Sequence, residues 1–277
     1  MHMKTCKSNY LNSKSYLLST CFIIFSFFSF GQNLKQRSCD AMHKKTITRA
    51  LDLREKQNEG LFAKNYELPG LLIDAAKKNK ITAYDNDSLA LKLTSTELQE
   101  RLKIPSAVPS INVNNPADTV DAFIAYGPDW RFQIPAVEEY LANDLYQLEI
   151  KEEIIFDKEK SKLIYNILSI SLFIPADHPA NIKGLQSIVA SFSFDELKNN
   201  LFKNNPKAIS YNTQNEAQHK NLADAFELRL FSSYIVKVSN AKDYYLADIY
   251  SDQTKGIMAS QWAANELLEY EHHLWEY

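Results

Sequence analysis

The stretch A-F-E-L-R-L-F-S-S-Y-I-V-K-V-S-N, from Ala225 to Asn240, decides the fold because its hydrophobic period changes midway. Its first part continues a helical stripe with a spacing of four, formed by Leu222, Phe226 and Leu230. Its second part follows a strand pattern, in which Tyr234, Val236 and Val238 alternate with Ile235 and Lys237. The stretch therefore predicts a short helix that leads into a strand, as part of an α+β fold.

A second strand pattern lies in the middle of the chain. Before the polar loop Asp157–Ser161, four apolar residues share one parity, namely Leu148, Ile150, Ile154 and Phe156. After that loop, the run from Leu163 to Ile174 is rich in β-branched and aromatic residues. The pattern predicts a β-hairpin, and we expect Phe156 to be buried on the face that it shares with Ile154 and Ile150.

Residues 32–103 are predicted to form a small N-terminal α+β region. The run Ile47–Asn58 fits either a strand or a helix, and its period alone does not decide between them. Helix signals follow at Leu71, Leu72, Ala75 and Ala76, and an extended segment is expected at Ile81–Tyr84 before a turn. Thr94 and Glu97 have the spacing of a capping box, which predicts a helix that runs to about Lys103.

Residues 104–119 contain three prolines and are predicted to be a linker to a C-terminal domain, 120–277. Short helices are expected at Ala136–Asp144 and near Phe194–Phe202. A closing helix from about Ser260 has an apolar stripe of Ala263, Leu267, Tyr270 and Leu274, widened by Leu268 and Trp275. We expect this stripe to dock on the segment around Phe231, and the alternative is that it faces a partner protein.

The N-terminus has the pattern of a cleaved secretory signal peptide, 1–31. Lys4, Lys7 and Lys14 precede an apolar run from Leu17 to Phe30, which is shorter than the roughly 20 residues that span a bilayer. Small residues favour cleavage between Gly31 and Gln32. Lipidation at Cys21 is disfavoured, because most of the apolar run follows that cysteine.

Charge and cysteine content argue against a nucleic-acid-binding protein and against a protein stabilised by internal disulfides. Loss of the three signal-peptide lysines from the 31 basic residues would leave 28 basic against 34 acidic residues, which disfavours nucleic-acid binding. Of three cysteines, Cys39 alone would remain after cleavage, so no internal disulfide is expected.

The sequence offers no candidate catalytic, cofactor-binding or metal-binding residues. Asp85 and Asp87 lack the glycine that a calcium loop needs, and the adjacent His272 and His273 point about 100° apart on a helix. Ser232 and Ser233 lack a glycine elbow. A carboxylate pair for glycoside hydrolysis has no fixed spacing and stays open.

Five ordered segments carry a resemblance to a known family. They are D-L-R-E-K-x-N at Asp52–Asn58, I-T-A-Y at Ile81–Tyr84, Y-x-L-x-I-K-E-x-x-x-F-D-K at Tyr146–Lys158, the stretch F-E-L-R-L-F-S-S-Y-I-V-K-V-S-N, and E-H-H-L-W-E-Y at Glu271–Tyr277. In these segments the chain resembles the GldN (PorN) family of gliding-motility proteins. It departs from the expected family pattern at Ile154–Ile155 and at Asn166. These departures leave open whether the chain is the principal ring subunit or a divergent paralogue.

The resemblance implies a periplasmic, non-catalytic component of the type IX secretion apparatus of Bacteroidetes, without a cofactor. It implies a ring under the outer membrane, built by self-association and by binding a GldK/PorK-like ring lipoprotein, so that membrane contact is indirect. Its candidate structural or interface positions are Asp52, Arg54, Phe156, Asp157, Lys158, Arg229, Phe231, Tyr234, Lys237 and Trp275. We expect Phe231, Tyr234 and Trp275 to be core aromatics, and Arg54, Arg229 and Lys237 to form internal ion pairs or pack their stems. The alternative function is a periplasmic ligand-binding or cell-wall-modifying protein, which would have a deep pocket with convergent carboxylates.

Overall fold

A five-stranded antiparallel sheet organises the protein, in the order β4-β3-β2-β1-β7. The computed structural model describes residues 41–104, 139–157, 162–181, 184–203, 205–250 and 253–275. The strands of this sheet are β1 (Ala41–Asp52), β2 (Gln147–Asp157), β3 (Lys162–Ile174), β4 (Ser187–Ser193) and β7 (Tyr234–Val238). A separate two-stranded sheet pairs β5 (Ile209–Ser210) with β6 (Lys220–Asn221).

The predicted hairpin is confirmed as β2 and β3, which pair from Gln147↔Phe173 to Asp157↔Lys162. The ambiguous run at Ile47 belongs to strand β1 as far as Asp52. This strand pairs with β2 along its length and with β7 at Ile47–Ala50. The central position of β1 makes it a strand, because both of its edges find main-chain partners.

Helices precede and follow the hairpin along the described part of the chain. They are α1 (Leu68–Lys77), α2 (Ser95–Leu102), α3 (Phe194–Glu196), α4 (Leu222–Glu227), α5 (Leu246–Tyr250) and α6 (Gln253–Trp275). The helix α3 continues as a π-helical turn, Leu197–Phe202. Three 3₁₀ turns lie at Glu59–Leu61, Ala142–Asp144 and Glu216–Gln218.

The capping box predicted for α2 is confirmed. The Thr94 hydroxyl accepts a hydrogen bond from the Glu97 main-chain N–H at 3.3 Å, and the Glu97 carboxylate accepts one from the Thr94 N–H at 2.8 Å. Hydrogen bonds to the Glu97 carboxylate from the Thr94 main-chain N–H and from the Thr94 hydroxyl lower the pKa of Glu97. The reciprocal pair also satisfies two donors that a helix start leaves free. The short helix expected at Ala136–Asp144 is a 3₁₀ turn of three residues, and residues 136–138 lie outside the described part of the chain.

Two apolar clusters cover one face of the sheet. The first core packs α1, α2, α3 and α4 against strand residues such as Leu51, Leu148 and Ile170. The second core packs α6 against the other end of that face. Its buried members are Ile47, Ile154, Phe156, Leu163, Ile235, Ala263 and Leu267.

Phe156 is buried at 4% exposure, and the register places it on the face of Ile154 and Ile150, as predicted. The closing helix also packs internally, but its docking site differs from our expectation. Ala263 and Leu267 of its apolar stripe belong to the second core, whereas Phe231 packs against the first core.

Three details of the predicted helices are corrected. Helix α6 begins at Gln253 rather than near Ser260, and Gly256 lies so close to α5 that an added Cβ would stand 3.2 Å from the Ala247 Cα. Leu268 is 62% exposed and does not widen the buried stripe. Leu230 is 47% exposed because α4 ends at Glu227, before the stripe could reach it.

The described residues from Ala41 onward form one compact unit. Strand β1 comes from the predicted N-terminal region, yet it lies between β2 and β7 of the predicted C-terminal domain. The expected linker therefore does not divide the sheet. The signal peptide, Cys39 and the linker beyond Ile104 lie outside the described residues, so the domain boundaries stay a prediction. Within the described residues, none of the helices is both long enough and apolar enough to cross a bilayer.

Candidate functional site

The helix-to-strand stretch around Arg229 forms the centre of the candidate site. Asn221 caps α4, since its side chain accepts a hydrogen bond from the Ala223 N–H at 2.9 Å. At the other end Arg229 has φ of 55°, a left-handed conformation that is uncommon for a residue with a side chain. The Leu230 N–H then donates to the Ala225 carbonyl at 2.9 Å, which closes the helix as a Schellman turn does. This turn reverses the chain into β7.

The Arg229 side chain enters the protein and meets a buried carboxylate. Glu152 is 0% exposed and lies on the inner face of β2, between Ile150 of the first core and Ile154 of the second. Arg229 Nη2 donates to Glu152 Oε2 at 3.2 Å, and Arg49 Nε donates to the same oxygen at 3.1 Å. Arg229 Nη1 lies 2.9 Å from Glu152 Oε1 without the alignment of a hydrogen bond, so that contact is ionic.

Two arginines therefore share one buried carboxylate between the two cores. The Arg229 guanidinium also lies 4.7 Å from the centre of the Tyr165 ring and 5.5 Å from that of Phe231. The cost of taking these ions out of water offsets much of their attraction, so a charge cluster in this position fixes the arrangement of the strands and the turn more than it adds stability. It ties the turn after α4 to β1 and β2.

The residues on either side of Arg229 are exposed to solvent, whereas the Arg229 side chain points inward. Leu228 is 58% exposed and Leu230 is 47% exposed. At this turn the charged side chain points inward and both leucines face solvent, although burial usually favours the reverse. We call Leu228, Leu230 and the neighbouring exposed Tyr234 the leucine-turn surface.

Asn58 joins the first motif segment to this turn. Its side chain donates to the main-chain carbonyls of Asp52 and Ser232 at 2.7 and 3.0 Å, and it accepts from the Ser232 N–H at 2.7 Å. Asn58 is 0% exposed. Two segments that lie 174 residues apart in sequence are thus held by one amide.

Arg54 and Asp52 form a second polar group beside this junction. Arg54 donates to both carboxylate oxygens of Asp52, and its guanidinium lies 3.5 Å from the centre of the Tyr146 ring. The Tyr146 hydroxyl donates to Asp177 at 2.5 Å. Burial and this hydrogen bond raise the pKa of Tyr146 to about 12, against the opposing effect of the Arg54 charge.

The outer face of the sheet carries Lys237 and a buried carboxyl. Lys237 forms an ion pair with Asp243 at 2.7 Å, and its Nζ lies 5.4 Å from the centre of the Tyr245 ring. The Tyr245 hydroxyl donates to Glu149 Oε2 at 3.2 Å. Burial is the main cause that raises the pKa of Glu149 to about 7, and the nearby Asp87 adds to it.

The remaining motif positions lie in the two cores, at the ends of strands or outside the described residues. Phe156 belongs to the second core, Phe231 is partly buried against the first core, and Asp157 ends β2. Tyr234 is 53% exposed, so the expectation of a core aromatic is wrong for this residue. It pairs with Ala50 at the sheet edge, where its ring faces away from both cores. Lys158 lies outside the described residues, as does the side chain of Trp275.

Sequence reasoning missed Asn58, Glu152 and Arg49 as the residues that organise this region. Glu152 shares its parity with Ile150 and Ile154, so a charged residue on an otherwise apolar strand face was the available signal. Asn58 closes a quoted motif, but nothing in the local sequence indicates its distant partner. Arg49 lies in the run that its period left ambiguous.

The cavities described here are lined by both polar and apolar residues. Four of them have volumes of about 240, 130, 590 and 440 Å³. Glu149 is the carboxyl in the described residues whose pKa is raised, and it lines none of these four. No group of three His, Cys, Asp or Glu side chains in the described parts of the chain could hold a metal ion.

Comparison with curated proteins finds no match. Residues 36–276 match the family described as "Gliding motility associated protein GldN", and this range includes every described segment of the chain. The sheet, the two cores and the Arg229 turn therefore belong to a member of the GldN family of gliding-motility-associated proteins.

Proposed function

We propose that this protein is a non-catalytic assembly component of the type IX secretion and gliding apparatus. In this proposal it is exported to the periplasm through its signal peptide and lies under the outer membrane. There it joins a ring with a GldK/PorK-like lipoprotein and with further copies of itself. Membership of the gliding-motility family supports the proposal, as does the use of the motif residues.

The observation that carries the proposal is the inverted exposure at the turn after α4. Arg229, Asn58 and Glu152 are used for internal contacts that fix the main chain of this turn. Leu228 and Leu230 remain outside, on main chain that these contacts hold in place. Exposed apolar side chains on a rigid support are typical of protein–protein interfaces, because no ordering of the turn is needed on binding.

The described cavities also support a scaffold function better than an enzymatic one. A catalytic site usually brings carboxylates with shifted pKa values together in a concave pocket. Here Glu149 lies under Tyr245 on the outer sheet face and lines none of the four described cavities. We therefore assign the leucine-turn surface, rather than a pocket, to the function.

The test is co-purification from cell envelopes with a double variant, Leu228→Ser with Leu230→Ser. The matched control is Leu91→Ser with Leu185→Ser, since these leucines are 64% and 69% exposed and lie outside the motif segments. We expect the first variant to lose the lipoprotein partner, to reduce secretion and gliding, and to keep the thermal stability of the wild type. The control should retain the partner.

Two results would contradict the proposal. If the leucine-turn variant retained the lipoprotein at the wild-type level, the leucine-turn surface would not be the binding site. Normal secretion and gliding in a strain that lacks the protein would contradict the proposed role in both processes.

A further inference from the structure

A carboxyl group and an ammonium group share one tyrosine ring on the outer face of the sheet. Glu149 on β2 is 8% exposed, and its Oε2 accepts a hydrogen bond from the Tyr245 hydroxyl at 3.2 Å. The side chain of Lys237 on β7 is 13% exposed, and its Nζ lies 5.4 Å from the centre of the same ring. The Tyr245 ring therefore lies against both groups, which makes these two ionisable side chains close neighbours.

The strand register brings Glu149 and Lys237 to the same face. Strand β1 lies between them, with Ala50 paired to Glu149 of β2 and Thr48 paired to Lys237 of β7. Thr48 and Ala50 are two residues apart on one strand, so their side chains point the same way. The Cα atoms of Glu149 and Lys237 are diagonal neighbours across β1, roughly 12 Å apart, a distance that a lysine and a glutamate side chain cover together.

The turn after β7 supplies the partner that Lys237 has in this structure. Lys237 Nζ lies 2.7 Å from Asp243 Oδ1, and the Asp243 side chain is 80% exposed. Asp243 has φ of 58°, a left-handed conformation that is uncommon for a residue with a side chain. The Asn240 side chain fixes the turn by accepting hydrogen bonds from the N–H groups of Lys242 and Tyr244 at 3.1 and 3.0 Å. The turn thus holds Asp243 in a strained conformation that presents its carboxylate to Lys237.

Other titratable groups surround Glu149 without giving it a cation. Lys151, two residues along β2, forms an ion pair with Asp87 at 3.1 Å. The Asp87 charge raises the pKa of Glu149, whereas the Lys237 charge lowers it. Tyr234 approaches the carboxyl from β7, and burial raises the pKa of this tyrosine, so it stays neutral where Glu149 titrates. Among the described residues, Lys237 is therefore the cation available to an ionised Glu149.

We propose that the proton on Glu149 decides which carboxylate holds Lys237. Asp243 holds it while Glu149 is protonated, and Glu149 takes it over once that proton leaves. An ionised carboxylate that is almost fully buried has lost most of its water, so it gains strongly from a nearby cation. An ion pair with an exposed carboxylate contributes little, because water solvates that carboxylate well when the cation leaves. This difference in solvation between Glu149 and Asp243 drives the exchange.

The exchange falls in the neutral pH range. Burial raises the pKa of Glu149 to about 7, and Asp87 acts in the same direction. Glu149 is therefore mostly protonated below about pH 6 and mostly ionised above about pH 8. Burial also raises the pKa of Tyr245, so its hydroxyl keeps its proton and stays on the carboxyl through this range. The contact that changes is that of Lys237.

The exchange reaches the main chain through the turn. Without Lys237, the left-handed conformation of Asp243 loses the contact that offsets its strain, so the turn opens more readily. Helix α5 follows this turn directly and lies close to α6, where Gly256 meets Ala247. The Glu149 proton thus governs how firmly β7 is joined to the α5–α6 pair. This inference does not depend on the proposed function.

NMR of the carboxyl carbons in the purified full chain tests the exchange from about pH 5.5 to about pH 8.5. The Asp243 resonance, assigned by its loss in Asp243→Asn, should shift with a midpoint of about 7, which is also the midpoint of the Glu149 resonance. An aspartate in fixed surroundings shows no titration in this range, because the ordinary pKa of aspartate is about 3.9. In Glu149→Gln the Asp243 resonance should stay constant.

Further variants separate the exchange from a general effect of pH. Lys237→Met removes the exchanging cation, so the Asp243 resonance should become constant while Glu149 titrates at higher pH. Tyr245→Phe should move both midpoints to higher pH together, since it removes a hydrogen bond that favours ionised Glu149. The matched control is Glu153→Gln, the same change on the same strand, at a carboxylate that pairs with another lysine. It should leave the Asp243 response as in the wild type.

Solvent exchange of main-chain amides measures the turn itself. The N–H groups of Lys242 and Tyr244 should exchange about threefold faster, relative to their intrinsic rates, at about pH 8.5 than at about pH 6. In Glu149→Gln this ratio should be close to one. Amides of the β2–β3 hairpin should keep their protection, which distinguishes local opening from unfolding of the whole protein.

The outcomes decide the matter in either direction. An Asp243 resonance that stays constant while Glu149 titrates overturns the proposal, as does a response that persists in Glu149→Gln. A Glu149 midpoint below about pH 5.5 also overturns it, since the carboxyl would then be ionised throughout. Unchanged exchange of the turn amides overturns the effect on the turn. If Glu149→Gln does not fold, the shared midpoint in the wild type and its common shift in Tyr245→Phe decide the question.

Discussion

Glu149 should make this protein less stable at alkaline pH, and replacing it by glutamine should remove that loss. The carboxyl lies on β2 and is 8% exposed. Burial raises its pKa from the ordinary 4.5 to about 7, and Asp87 acts in the same direction. The Tyr245 hydrogen bond and the Lys237 charge lower the pKa but do not offset the burial.

The sign follows from proton binding in the two states. The folded protein holds the Glu149 proton more tightly than the unfolded chain does, so the folded state gains stability where the carboxyl is protonated. That gain is complete below about pH 4.5 and is lost as the pH rises through about 7. Each pKa unit corresponds to about 1.4 kcal/mol, so the wild type loses about 3 kcal/mol through this group between pH 4.5 and pH 8.

Urea unfolding from pH 4.5 to pH 8 measures this effect for the wild type and for Glu149→Gln. All other titrating groups are common to both proteins, so their contributions cancel in the difference. The unfolding free energy of the variant relative to the wild type should rise by about 3 kcal/mol across this range. A difference that stays constant within about 1 kcal/mol would show that Glu149 titrates normally and would refute the reasoning. Tyr245→Phe should move the transition to higher pH, because it removes a hydrogen bond that favours the charged form.

Four further predictions concern stability and processing. Phe156→Ala should lower the unfolding free energy by about 3 to 5 kcal/mol, since it opens a cavity in the second core; an unchanged melting temperature would contradict that burial. Asn58→Ala should cost about 3 kcal/mol in the same unfolding assay, because three main-chain groups lose a buried partner. Thr94→Ala should cost about 1 kcal/mol through loss of the α2 cap. Mass spectrometry of the exported protein should find its N-terminus at Gln32, and a retained Met1 would refute the predicted cleavage.

Local elements were predictable because their signals lie within a few residues of each other. The hairpin β2–β3 follows from alternation on both sides of a polar loop, and the α2 start follows from Thr94 and Glu97 three residues apart. The change of period at Ala225–Asn240 predicted α4 and β7 in the right order. The end of α4 was placed too late, because Leu230 continues the helical spacing while the left-handed Arg229 ends the helix before it.

The place of each element was not predictable in the same way. Strand β1 was ambiguous by period, and only its two neighbours in the sheet made it a strand. The α6 stripe was recognised, but the site on which it docks depends on which end of the sheet the first core leaves open. The local sequence does not indicate which end of the sheet is left open.

The sequence by itself determined the local periods, the α2 cap and the ordered motifs that mark the family. The tertiary structure alone decided which of those motif residues meet. Arg229 reaches Glu152 across 77 residues, and Asn58 holds Ser232 across 174. Periodicity and capping arise from main-chain geometry over a few residues, so they can be read along the chain. A buried charge or amide finds its partner through strand order and register instead, and those form only when the whole sheet assembles.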